Sequence, residues 1–177
     1  MEIIILGVLL VIVMVIVSTK VKKNAAKAFK PETVEKEDFR VEKPAGFLYP
    51  LNSESEFPYE AYSKTFGERA TRNIWRARTR LRVSEGLNIR KLINEIKSGS
   101  ETAFSEKVMD DLPEGQIGSI VRTDFENDDV EYKILRKIVG NKSTNKTYEL
   151  KTTILRLFED EYTDDICDMM RSFELRG

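Results

Sequence analysis

The chain has no histidine and only one cysteine in 177 residues. Without histidine there is no Ser-His-Asp or Cys-His nucleophile system, no imidazole general base, and none of the usual nitrogen ligands for zinc or haem. Cys167 has no partner for an internal disulfide, which fits a reducing compartment. Glycine is also scarce: Gly86 and Gly99 stand alone, and no glycine-rich run exists to cradle phosphates. No acid has the apolar flanks that would hold a proton near neutral pH. Asp160, Asp164 and Asp168 recur at helical spacing, but they match no calcium loop and read as a solvated helix face. The chain is therefore read as a non-enzyme with no catalytic residue, no metal ligand and no cofactor. The alternative from another class is a carboxylate-based hydrolase without histidine or metal-cysteine chemistry.

What the chain does have begins at its amino terminus. Ile3 to Val17 is an unbroken apolar run, and Lys20, Lys22, Lys23, Lys27 and Lys30 follow it. As a helix the run rises roughly 22 Å, and residues 1–19 reach about 28 Å, short but sufficient for a bilayer core. Signal peptides carry their positive charge before the apolar stretch, and here it comes after, so an uncleaved anchor is the better reading and a cleaved leader the rival. Lysines beside a span stay on the cytoplasmic side, which puts the amino terminus outside and the following domain in the cytoplasm; an extracytoplasmic domain is the alternative. Residues 1–30 carry a net charge of +4, which leaves about −5 on the remainder of a chain whose total is −1. Lys20, Lys22, Lys23 and Lys27 are the expected contacts with anionic headgroups, each worth about 1 kcal/mol at such a surface.

Three divisions follow: 1–19 a transmembrane anchor, 20–38 a basic juxtamembrane tether, and 39–177 one α+β domain. Within the domain, Phe39-Arg40-Val41 reads as a strand ending at the turn Pro44-Ala45-Gly46-Phe47. Residues 48–72 read as a covering loop with a helical turn. Asn73 to Val83 alternates clearly, so a strand is predicted with Trp75 in the core. Leu87, Ile89, Leu92, Ile93 and Ile96 predict a helix closed by Ser98-Gly99. Residues 101–112 are open between helix and loop. Gln116–Glu126, Val130–Val139 and Thr147–Leu157 predict an antiparallel meander, and Phe158, Tyr162, Ile166, Met169, Met170 and Phe173 share one face of a closing helix.

The most unusual surface feature is the arginine row Arg76, Arg78, Arg80 and Arg82, on alternate residues of one strand and roughly 7 Å apart. Such a row could grip an acidic partner or phosphates. The plainer reading is that acids on neighbouring strands, Glu131 and Glu149 among them, neutralise it. Nucleic acid is not expected, because the domain is net acidic and lacks a broad basic surface.

The order of elements, with Pro44-x-Gly46-Phe47 after the first strand and Met170-Arg171-Ser172-Phe173 at the end of the last helix, resembles the PsbP-like superfamily of α-β-α sandwiches. That superfamily also includes Ran-binding proteins of the Mog family. The resemblance spans roughly Phe39 to Leu175, departs in having Phe47 where tryptophan is common, and implies a non-catalytic binding or assembly role. Together these readings predict a membrane-tethered binding module at the cytoplasmic face, with membrane lipid and a protein as its partners.

Overall fold

The computed structural model describes residues 2–50, 55–65, 74–99, 104–108, 112, 115–127 and 130–176, with the backbone alone for 2–9, 25 and 105–108. The chain divides into two compact units, residues 1–30 and 31–177.

The first unit is a single helix, α1 (Glu2–Ala28). It runs without interruption through Lys20, Lys22, Lys23 and Lys27, so the first part of the expected tether is helical. Pro31 stops it, because proline disfavours the helical conformation of the residue before it. Leu10 to Val17 are at least half exposed, and Thr19 Oγ1 donates back to the Val15 carbonyl at 2.8 Å, which satisfies the hydroxyl within the helix. Among the described residues no helix is long and apolar enough to cross a membrane. The transmembrane character expected of residues 1–19 is therefore not found among the described residues.

The second unit is a mixed α+β fold with two antiparallel sheets. Strands β1 (Glu32–Glu35), β2 (Phe39–Lys43) and β9 (Glu174–Leu175) form the smaller, in the order β1-β2-β9. Strands β3 (Tyr59–Tyr62), β4 (Ala77–Glu85), β5 (Phe104–Val108), β6 (Gln116–Asn127), β7 (Val130–Asn141) and β8 (Lys146–Leu155) form the larger, in the order β3-β4-β8-β7-β6-β5. The meander β6-β7-β8 is as its alternation predicts. Four strands lie where the sequence reading has none, β9 among them, pairing with β2 just past the closing helix. β1 lies inside the expected tether, β3 inside the expected loop, and β5 in the segment left open between helix and loop.

Helix α3 (Glu159–Ser172), entered through a short 3-10 turn at Arg156–Phe158, buries Tyr162, Ile166, Met169 and Met170 on one face of the larger sheet. There it meets Leu81, Leu135, Val139, Tyr148, Leu150 and Ile154. The turn Pro44–Gly46 brings Phe47 into the same core; Gly46 sits at φ +80°, a region open chiefly to glycine, and Phe47 meets the Tyr162 ring edge-on at 5.8 Å. Lys137, buried on this face, donates to the carbonyls of Met170 (2.6 Å) and Phe173 (2.9 Å) and so satisfies the open end of α3.

Helix α2 (Ile89–Ser98) covers the opposite face through Ile89, packed on Val121 and Ile138, with Leu92, Ile93 and Ile96 alongside. It approaches β7 so closely at Gly140 that a Cβ there would lie 2.8 Å from Ile89 Cδ1. Trp75 is a correction. It is half buried, in an isolated bridge to Thr65 before β4, and its ring lies 4.0 Å from that of Tyr62 instead of entering the core.

Candidate functional site

The arginine row does not survive as an exposed stripe. Arg76 precedes β4 at a bend and turns away from the others, its guanidinium 4.2 Å from the Phe158 ring centroid and 3.5 Å from Glu161. Arg78 and Arg80 both donate through Nε to one carboxylate oxygen of Glu60, at 2.6 and 3.1 Å, from the neighbouring strand β3. Ser55 donates to the other oxygen at 3.1 Å. Burial pushes the Glu60 carboxyl up, but the hydrogen bonds from Arg78 and Arg80 outweigh it and hold the acid below its ordinary pKa. Arg82 alone remains exposed with no acid in ion-pair contact among the described residues. Neutralisation by neighbouring acids is thus the outcome for three of the four, but Glu131 and Glu149 are not the acids responsible. Glu131 lies opposite Glu126 on β6, and Glu149 is bound to Arg136 at 3.2 Å.

A different alignment appears across the strands. In the β4-β8 register Arg80 faces Lys151, and in the β8-β7 register Lys151 faces Arg136. Three cations therefore lie side by side, about 4.8 Å apart from strand to strand, an arrangement that destabilises a sheet unless it is compensated. Arg80 is compensated by Glu60 and stacks over Phe57 at 4.9 Å. Arg136 is compensated by Glu149 and donates to Thr123 Oγ1 at 3.0 Å. Lys151 has no ion pair or hydrogen bond among the described residues, and its pKa is lowered, first by burial and then by Arg136, against the opposing pull of Glu149.

These cations line a groove of about 320 Å³ between α2 and the sheet. Arg80, Arg82, Arg136 and Lys151 form its floor. Leu92 and Ile96 of α2, together with Phe57, supply apolar walls, and Glu95 and Glu149 are the acids that share it. Glu95 is already paired with Lys91 at 3.9 Å, one helical turn away. Asp160, Asp164 and Asp168 lie on the exposed face of α3, where Asp168 pairs with Arg171.

Sequence reasoning found Arg80 and Arg82 because they alternate along one strand, and missed Lys151, Arg136 and Glu60. A signal for the first two existed. The turn joining β7 and β8 pairs Asn141 with Lys146, and counting back along both strands sets Arg136 opposite Lys151. Glu60 was hidden because β3 was read as loop.

No protein-family model matches the chain. No curated protein matches it in sequence. Solved structures of similar fold do exist. One is LpqN, described as involved in cell envelope biogenesis of Mycobacterium tuberculosis, with TM-score 0.55 and 11% identity over 84% of this chain and 91% of that one. A protein from Bacteroides thetaiotaomicron VPI-5482 matches at TM-score 0.47 and 12% identity; the match takes in 78% of this chain but only 45% of that longer one. A cyanobacterial PsbP (CyanoP) from Synechocystis sp. PCC 6803 matches at TM-score 0.37 and 10% identity, over 84% and 94%. A PsbP structure thus stands among the solved structures this chain is similar to, as the resemblance expected, and the likeness is of fold alone. LpqN carries the structural comparison, and at these identities it extends to fold alone.

Proposed function

We propose that the protein is a membrane-tethered, non-catalytic binding module, held to the bilayer by α1 and its lysines and binding through the groove beneath α2. The observation that carries the tether is the row of apolar side chains from Leu10 to Val17, exposed along a helix that continues the apolar run from Ile3. Such a surface needs a nonpolar cover, which a bilayer supplies. The binding role is supported by the groove, where cations are gathered at an electrostatic cost to the sheet and two remain without acids. The acids that share it are engaged with Arg136 and Lys91, an arrangement suited to holding charge in place and ill suited to the paired carboxylates of a hydrolase. The domain lies at the cytoplasmic face in this reading, because the lysines follow the apolar run. The description of LpqN as acting in cell envelope biogenesis fits a domain of this fold working beside a membrane.

The tether is tested by alkaline extraction of membranes. The full chain is expected to stay in the pellet, and a chain lacking residues 1–30 to leave it. Release of the full chain into the supernatant would remove the tether from the account.

A further inference from the structure

We propose that the groove beneath α2 binds a phosphate monoester, its dianionic group held by Lys151 and Arg82 and its organic portion set against Phe57, Leu92 and Ile96. This deepens the reading of the groove as the binding surface and is independent of the anchor.

The groove floor carries more positive charge than its acids neutralise. Of the four cations on the groove floor, Arg80 is committed to Glu60 at 3.1 Å and Arg136 to Glu149 at 3.2 Å. Glu149 lies opposite Arg82 in the strand register, yet its carboxylate turns to Arg136, and Glu95 is paired with Lys91. Two positive charges are left, on Arg82 and Lys151. A single carboxylate would neutralise one of them. A phosphate monoester carries about −1.5 to −2 near neutral pH and offers three strong acceptor oxygens, enough for both.

Geometry points the same way. Arg82 and Lys151 stand on neighbouring strands and face the same side of the sheet, so their heads can converge on one compact anion. The engaged guanidiniums of Arg80 and Arg136 flank Lys151 and add to the field without swinging free. Next to this charge Phe57, Leu92 and Ile96 offer apolar contacts, and the groove's volume of about 320 Å³ admits a phosphate with a ring-sized substituent. A row of like charges that weakens the sheet, with its middle member unpaired, is accounted for by an anion that relieves it on binding.

The chemistry is shared by two sources, a soluble phosphate ester and the monoester headgroup of a lipid. The full chain in neutral detergent is titrated calorimetrically with phenyl phosphate, with benzoate, and with dioctanoyl phosphatidic acid in mixed micelles. Saturable binding of a phosphate monoester is expected, with benzoate at least tenfold weaker. Lys151→Met and Arg82→Gln are each expected to weaken binding at least tenfold. Lys151→Met should also melt at a higher temperature than the native chain, because it breaks the like-charge row, so its loss of binding cannot be a loss of fold. Tighter binding of phosphatidic acid than of phenyl phosphate assigns the site to a lipid headgroup, and the reverse order to a soluble ester; both support it. The proposal is overturned if neither monoester binds saturably to chain that still sediments with membranes, a result that leaves the tether standing. Equal affinity in Lys151→Met and the native chain, or benzoate binding as tightly as phenyl phosphate, also overturns it.

Discussion

Replacing Phe47 by alanine is expected to destabilise the second unit by about 3–5 kcal/mol, the range for removing a large aromatic ring from a packed core. Phe47 is fully buried, rests edge-on against Tyr162 and reaches that position through a turn that depends on Gly46 at positive φ. Its loss leaves a cavity between the turn and α3 that neither can close without moving the backbone. Trp75→Ala, by contrast, is expected to cost only about 1 kcal/mol, because Trp75 is half buried and the ring it packs on among the described residues is Tyr62. Chemical unfolding of the full chain in neutral detergent measures both. A larger loss at Trp75 than at Phe47 would reverse the assignment of the core.

The second large effect is expected at Glu60. One carboxylate, on a side chain only 7% exposed, serves both Arg78 and Arg80. Glu60→Gln leaves two guanidiniums without their acid. Breaking a fully buried pair costs about 3–5 kcal/mol, but both arginines are about a third exposed and water recovers part of it, so a loss of about 2 kcal/mol is expected. The pH dependence follows from the lowered pKa of Glu60. A carboxylate held below its unfolded value contributes stability that is present above about pH 4.5 and is lost as pH falls through the folded value. The gap between the native chain and Glu60→Gln should therefore be constant near neutrality and close on acidification below about pH 4.5. A gap that persists unchanged to pH 2 would mean that the ion pairs do not stabilise the fold. For the same reason, reversing Arg78 and Arg80 to glutamate is not a neutral probe of the surface: it would set three carboxylates against one another. Arg82 and Lys151 are the positions where charge can be removed without breaking a pair.

The meander and both domain helices were legible because each buries one face and leaves the other in water. Val121, Ile138 and Leu150 fall in step with strand geometry, and Tyr162, Ile166 and Met169 in step with a helix. β3 was not legible because Tyr59, Glu60 and Ala61 are all buried in succession, which erases the alternation, and Glu60 is buried only because two arginines come to meet it. β1 failed for the opposite reason: only Val34 is even partly buried, and its backbone pairing with β2 leaves no mark on the side chains. The arginine row shows how far a one-dimensional pattern reaches. Alternation correctly put Arg78, Arg80 and Arg82 on one face of β4, but what each does depends on the strands to either side. Arg78 and Arg80 are tied by β3, Arg82 is left open, and the cation at the centre of the groove, Lys151, belongs to β8.

The central claim, a domain tethered at the cytoplasmic face of a membrane, is tested most directly by adding protease to intact cells and to permeabilised ones and following the carboxy-terminal region by immunoblot. The account predicts a full-length chain in the membrane fraction that is untouched in intact cells and loses its carboxy-terminal signal once the membrane is opened. Digestion of the domain from outside, or a mature chain that has lost residues 1–28, would contradict it.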